Sequence, residues 1–176
     1  MKPKLEKMER KLDFRSHGEG DIDLRVKWLN DKKVTKFLGG DPDKKTNRAE
    51  QEKWMAEYLS DPTKKFFTIL YENKPVGLLG YKEIDKQEKK AELFIMLGEE
   101  SVRGKGLGRG SMEWMIDYGF NQLNLDKLEL GVLRQNEPAL KLYQSLGFKE
   151  ALEKSSEDDV WIILEKDNNE TEAGKN

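Results

Sequence analysis

Apolar residues recur along the chain with two different spacings, one typical of strands and the other of helices. Six short segments alternate between polar and apolar positions or are rich in β-branched and aromatic residues, which predicts strands. These segments are 11–15, 66–71, 76–81, 92–97, 127–133 and 160–164. The connections between the second, third and fourth segments are polar, so we expect these three to be consecutive antiparallel strands.

Between the first two strand segments the spacing is helical. Asp21 offers an N-cap for a first helix over 22–29, and a short second helical piece is expected through 34–37. Asn47, followed three residues later by Glu50, resembles a capping box and predicts a third helix.

Two further helices follow the central strands. Apolar residues at 112, 115, 116, 120 and 123 predict the fourth, and the face formed by Ala139, Leu142, Tyr143 and Leu146 predicts the fifth. That helix should end at Gly147, a suitable residue just beyond a helix. The order of strands and helices predicts a mixed α+β domain over 11–166, with a loose segment at 1–10 and a disordered tail at 167–176.

Composition supports one globular domain of 176 residues, with 32 basic and 34 acidic side chains and a formal charge of −2. No apolar run approaches the roughly 18 residues that span a bilayer, and the charged start lacks the apolar stretch of a signal peptide. We therefore expect a soluble, cytoplasmic protein that does not bind membranes. The balanced charge argues against nucleic-acid binding, which needs a basic face.

The chain has no cysteine and one histidine, His17. Disulfides, thiolate metal sites and cysteine nucleophiles are excluded, and so are metal motifs that need two histidines. His17 lies in a polar segment and is expected to be an ordinary loop residue. Any catalysis then uses carboxylates, tyrosine, backbone amides or a bound cofactor, and no metal is expected.

The segment Arg103 to Arg109 is rich in glycine and lies between a predicted strand and a predicted helix. Such a loop directs backbone N–H groups at an anion at the positive end of the helix. A Walker loop is excluded because Gly106 follows Lys105 where a hydroxyl is needed. The dinucleotide fingerprint also fails, because Arg109 or Ser111 stands at the place of its last glycine.

The loop 103–108 matches Arg/Gln-x-x-Gly-x-Gly/Ala, and 136–148 matches Asn-x-x-Ala-x-x-Leu-Tyr-x-x-x-Gly-Phe. Together the two motifs resemble the GNAT superfamily of acetyl-CoA-dependent N-acetyltransferases over roughly residues 11–165. The segments 28–31 and 34–40 are similar to the branch that includes ribosomal-protein-alanine N-acetyltransferases. The resemblance implies a single mixed, mostly antiparallel sheet flanked by helices.

The resemblance also implies where acetyl-CoA binds. The loop amides would hold its pyrophosphate, a strand would pair with its pantetheine arm, and a later Asn would reach the pantetheine amides or substrate, or else cap its helix. The residues implied are Ile95, Met96, Leu97, Arg103, Gly104, Lys105, Gly106, Leu107, Gly108, Arg109 and Asn136. An amide near Met96 or Leu97 is a candidate for stabilising the oxyanion.

Two residues are candidates for proton transfer. Tyr143, within the second motif, would give a proton or a hydrogen bond to the sulfur of coenzyme A. Glu92 is the first choice for the base, with a solvated surface charge as the alternative. Gly131 occupies a rival family position for a base, so Glu129 or a water chain are the other candidates.

The acceptor is expected to be a primary amine, on a protein N-terminus or a small molecule. Trp28 and Phe37 would wall its site, as that region does in relatives, although core packing is an alternative for Trp28. With no cysteine, acetyl transfer would be direct. A catalytically silent acyl-CoA-binding module is the alternative function, and a homodimer is one candidate assembly.

Overall fold

A computed structural model describes residues 11–41, 43–155 and 160–168, and within these ranges seven strands form one mixed sheet. The strands are β1 (Leu12–Ser16), β2 (Lys65–Tyr71), β3 (Lys74–Asp85), β4 (Lys90–Leu97), β5 (Lys127–Leu133), β6 (Lys149–Ser155) and β7 (Val160–Asp167). Their order across the sheet is β1-β2-β3-β4-β5-β7-β6, and the β4–β5 pair is parallel while the others are antiparallel. The predicted mixed, mostly antiparallel sheet is confirmed.

Five α-helices lie in the described ranges: α1 (Ile22–Leu29), α2 (Lys32–Thr35), α3 (Arg48–Ser60), α4 (Leu107–Asn121) and α5 (Glu137–Ser145). The predicted capping box is present, since the Asn47 side chain accepts from the Glu50 N–H at 3.0 Å. Gly147 has φ +88° just beyond α5, as a residue ending that helix requires. None of the described helices is long and apolar enough to cross a membrane.

The helices cover opposite faces of the sheet. One core cluster joins the sheet to α4 and includes Leu93 of β4, whereas the other joins the sheet to α1, α2 and α3 and includes Met96. Because successive side chains of a strand point to opposite faces, β4 contributes to both clusters. We call these the α4 face and the α1–α3 face.

The strand β6 is missing from the sequence prediction. Its sequence, Lys149 to Ser155, carries charges at most positions and has no run of β-branched or aromatic residues. It forms at the edge of the sheet by pairing with β7, with an irregularity between Glu150 and Leu152. An edge strand exposes much of its surface, so charged residues fit it without an apolar pattern.

The ends of the domain are described in part. β7 continues to Asp167, so the predicted tail begins within the sheet rather than beyond it. The loose segment predicted at 1–10 and the rest of the tail, 169–176, lie outside the described residues.

The prediction that His17 is an ordinary loop residue is wrong, because its side chain is fully buried. Its Nδ1 lies 2.9 Å from Thr68 Oγ1 on β2 and 3.3 Å from Asp21 Oδ2. Asp21 stands at the N-cap position of α1, but its carboxylate makes no capping bond. It instead accepts from the Arg15 guanidinium at 2.6 and 2.8 Å and from Thr68 at 3.0 Å. This polar cluster joins the first turn of the helical region to β1 and β2.

Both titratable groups of the cluster have shifted pKa values. Burial lowers the pKa of His17 below 6.5, despite the opposing influence of Asp21. Burial alone would raise the pKa of Asp21, but hydrogen bonds from His17 and Arg15 hold it well below 3.8. The cluster is therefore built for a neutral imidazole and an ionised carboxylate.

We expect acid to destabilise the protein from about pH 6.5 downward. The unfolded chain binds a proton at His17 near its ordinary pKa while the folded chain does not, so stability falls as the pH drops through this range. Protonation of Asp21 adds a second loss below its ordinary pKa of 3.8. Melting temperatures measured from pH 8 to pH 4 test this.

Because His17 is the chain's one histidine, the His17→Gln variant is the matched control. It should melt at a lower temperature at pH 7 and show a flatter profile between pH 6.5 and pH 5. A wild-type melting temperature that stays constant from pH 7 to pH 5 would contradict the conclusion that folding lowers the pKa of His17.

Candidate active site

The parallel strands β4 and β5 pair over three residues and then separate. Their register matches 90–92 with 127–129, and beyond it β4 pairs with β3 as far as Leu97, while β5 pairs with β7 as far as Leu133. Each strand therefore has an inner edge with no strand partner. A cavity of about 860 Å³ occupies the gap between these edges, lined by residues of both strands.

The glycine loop closes one end of this cavity. Gly104 has φ +73° and Gly106 has φ +84°, a left-handed conformation that residues with a Cβ rarely adopt. Gly106 is the N-cap of α4, and the first helical bond is donated by Gly110 to the Gly106 carbonyl at 3.2 Å. The N–H groups of residues 107–109 thus precede the first bonded turn and form the positive end of α4.

Two arginines stand at this end of the cavity and line it. Arg103 donates to the backbone carbonyl of Lys33 at 2.7 Å, which ties the loop to α2. Arg109 donates to Ser145 Oγ at 2.5 Å, which ties the start of α4 to the end of α5. Both guanidiniums are held by neighbouring elements, so positive charge at the loop is fixed in place.

Lys105 differs from the two arginines. Its Nζ lies 5.6 Å from the centroid of the Tyr71 ring at the end of β2, and Lys105 is not among the residues that line the cavity. The side chain of Lys105, which the resemblance placed among the acetyl-CoA-binding residues, therefore lies away from the cavity. A loop residue's direction depends on which neighbour it packs against, and the sequence alone does not specify that.

On the α4 face, α5 contributes Asn136 and Tyr143 to the cavity. Asn136 Oδ1 accepts from the Ala139 N–H at 3.4 Å, so this side chain caps α5 while facing the cavity. Burial raises the pKa of Tyr143 to about 12. Its ring meets Phe148 edge-on at 6.2 Å, and its phenol makes no hydrogen bond with any residue of the described ranges.

Glu92 lines the cavity at the point where β4 and β5 separate. It lies opposite Lys82 of β3, whose Nζ donates to Glu92 Oε1 at 2.7 Å. Both side chains are about one-third exposed, so water reaches the pair. The sequence prediction treated Glu92 alone, whereas the structure presents an ion pair.

The other proposed positions for a base lie less favourably. Glu129 is 3.9 Å from Lys90 Nζ and does not line the cavity. Gly131 does line it, but a Cβ there would lie 3.3 Å from Trp161 Cε3. The Trp161 ring thus occupies space that a carboxylate side chain at position 131 would need.

A protein-family model described as "Acetyltransferase (GNAT) domain" matches residues 11–149, more than three quarters of the chain. The chain belongs to the GNAT acetyltransferase family. It is therefore an acetyltransferase that uses acetyl-CoA as co-substrate.

Three relatives place this acetyltransferase among its neighbours. It is 32% identical to the protein named uncharacterized N-acetyltransferase p20 of Bacillus licheniformis over 142 residues, 79% of each chain. It is 35% identical to spermidine N(1)-acetyltransferase of Escherichia coli (strain K12) over 92 residues, 52% of this chain and 49% of that one. The crystal structure of spermidine N-acetyltransferase from Vibrio cholerae with CoA and spermine shares the fold, with a TM-score of 0.82 and 22% identity, over 91% of this chain and 97% of that one.

The expectation that Trp28 walls the acceptor site is wrong in this structure. Trp28 is fully buried, does not line the cavity and packs against Gly98, where a Cβ would lie 2.3 Å from the Trp28 ring. Its indole N–H donates to Glu99 Oε1 at 2.8 Å, which fixes the orientation of the ring. Phe37, in contrast, lines the cavity.

Several lining residues of the acetyltransferase were missed from the sequence, among them Lys36, Lys82 and Trp161. The predicted hairpin could have suggested a β3 partner for Glu92, but the register is irregular between Lys82 and Asp85. Within the described residues no group of three or more His, Cys, Asp or Glu side chains could hold a metal ion. The metal-free chemistry and the homodimer both stay predictions.

Proposed function

We propose that the acetyltransferase moves the acetyl group of acetyl-CoA directly to a primary amine, on a protein N-terminus or a small molecule, within a ternary complex. One observation carries this proposal. The gap between β4 and β5 is lined by Tyr143 from the α4 face and by Glu92 from the opposite face. A donor entering beside α4 and α5 would meet an acceptor entering beside α1–α3.

We assign donor binding to the glycine loop and to the inner edge of β4. The N–H groups of Leu107, Gly108 and Arg109 supply donors for a pyrophosphate, and Arg103 and Arg109 supply charge. A Cβ built at Gly104 meets no atom within 4 Å, so the loop leaves open space for the anion. These features fit the pyrophosphate of acetyl-CoA.

The inner edge of β4 at Ile95, Met96 and Leu97 is our candidate for pairing with the pantetheine amides, with Asn136 facing it from α5. Backbone groups without a strand partner favour a ligand that supplies peptide-like amides. The same edge offers an N–H near Met96 or Leu97 for the oxyanion that forms when the amine adds to the thioester carbonyl.

The acceptor must lose a proton, because an alkyl ammonium has a pKa near 10.4 and is no nucleophile at neutral pH. We assign this proton to Glu92, directly or through one water. Lys82 engages Oε1 of the carboxylate, while Oε2 has no hydrogen-bond partner among the described residues. Lys82 therefore holds the carboxylate in position and leaves one oxygen for the proton.

Tyr143 is our candidate for stabilising the departing sulfur. With a pKa of about 12, its phenol stays protonated at neutral pH. A thiol has a pKa near 8.5, well below that of Tyr143, so complete proton transfer from Tyr143 to the thiolate would be uphill. We therefore infer that Tyr143 donates a hydrogen bond to the sulfur as the C–S bond breaks, and that the thiolate takes up the second proton, which the attacking nitrogen loses as the amide forms.

The experiment that tests the function measures free thiol released from acetyl-CoA across a panel of primary amines, with mass spectrometry of the products. Tyr143→Phe should lower kcat about tenfold or more, since it removes a hydrogen bond to a developing charge. The Kd for acetyl-CoA should change less than twofold. Phe148→Leu, at the ring that contacts Tyr143, is the matched packing control, and an unchanged kcat in Tyr143→Phe would remove the phenol from the mechanism.

Glu92→Gln tests the base. At pH 7 it should lower kcat about a hundredfold, the usual scale for a positioned general base. The defect should shrink toward pH 9.5, because a growing fraction of the amine is then already deprotonated. Glu129→Gln should leave the rate near the wild-type value. A defect in Glu92→Gln that stays constant from pH 7 to pH 9.5 would assign Glu92 a structural role.

A further inference from the structure

The acceptor half of the cavity is built on the α1–α3 face. Strand alternation puts Glu92 on the same face as Phe94 and Met96, which pack against the cluster of Trp28. Lys82 pairs with Glu92 on that face.

The other side of this half is formed by β7 and by the segment after α2. Trp161 packs on Gly131 of β5, and the segment after α2 closes over it, since a Cβ at Gly39 would lie 2.3 Å from Trp161 Cζ2. We call the set Lys36, Phe37, Leu38, Lys82, Glu92 and Trp161 the acceptor wall; all of its members line the cavity.

The acceptor wall carries a net positive charge. Its ionisable members are Lys36, Lys82 and Glu92, and the carboxylate is already neutralised by Lys82. Lys36 is exposed, with its Nζ 4.9 Å from the Phe37 ring centroid and no carboxylate within ion-pair distance in the described part of the chain. One uncompensated ammonium therefore stands beside the Phe37 ring of the wall.

Among the described residues that line the cavity, Glu92 is the one carboxylate, and two carboxylates of neighbouring segments are engaged by lysines. Asp43 pairs with Lys32 at 2.5 Å, and Glu100 pairs with Lys33 at 2.8 Å. A polyamine needs carboxylates for its second and third ammonium groups. The described acceptor wall offers it one carboxylate, already paired, and repels it with Lys36.

From these charges we propose, on the basis of the proposed function, that the physiological acceptor is a primary amine whose carrier also bears an anionic group. Lys36 binds that carboxylate or phosphate while the amine lies at Glu92. A phosphate and a carboxylate would bind Lys36 through the same ionic contact. The matched pairs of acceptors described next distinguish the two groups.

The test compares matched acceptors by kcat/KM in the thiol-release assay. The first pair is glucosamine 6-phosphate and glucosamine. The second pair is a short peptide with an acidic second residue and the same peptide with a basic second residue. Spermidine is included as a polycationic acceptor. We expect the anionic member of at least one pair to be preferred about tenfold at low salt, with the preference falling as NaCl rises. The pair that shows it identifies phosphate or carboxylate.

Lys36→Glu should abolish or reverse this preference, whereas Lys53→Glu, on the exposed side of α3 and outside the cavity, should not change it. Both variants should show the wild-type thermal shift with acetyl-CoA, which verifies folding and donor binding. If kcat/KM for spermidine or for the acceptors without an anionic group equals or exceeds that for the anionic acceptors, and Lys36→Glu does not change this order, the inference about Lys36 is wrong. The proposed function would then still hold. No thiol release with any amine overturns both.

Discussion

The separation of β4 from β5 after three paired residues is the constraint on which the site depends. Backbone N–H and C=O groups that lack partners are costly when buried, so two strands in one sheet normally stay paired. Here each strand keeps its outer partner, β3 for β4 and β7 for β5, and the inner edges face a cavity instead. The fold thus presents backbone groups that a ligand rich in amides can satisfy.

This opening also divides the chemistry between the two faces of the sheet. The glycine loop and α5 bring backbone N–H donors and a phenol to the α4 face. The ion pair of Lys82 and Glu92 stands on the other face, where α1, α2 and α3 pack. Donor and acceptor would therefore approach from opposite sides and meet in the gap, which suits direct transfer.

Features encoded locally were predictable from the sequence. The glycine-rich loop before α4, the capping box at Asn47 and the strand over 127–133 all depend on neighbouring residues, and the structure contains them. Features set by tertiary contacts were not predictable. Trp28 suits either a core or a binding wall, and its burial against Gly98 is decided by how α1 packs on β4.

The same contrast explains the remaining errors. A charged edge strand such as β6 forms because β7 offers an open edge, and His17 is buried because Thr68 and Asp21 supply its partners. Lys105 turns toward Tyr71 rather than the cavity.

Hydrogen–deuterium exchange with and without acetyl-CoA measures the role of the opening most directly. We expect new protection at the gap-facing amides of residues 94–97 and at the amides of residues 107–109, with no change at the amides of β2, which already pair with β1 and β3. Binding of acetyl-CoA without protection at either segment would contradict the claim that the gap between β4 and β5 is the donor site.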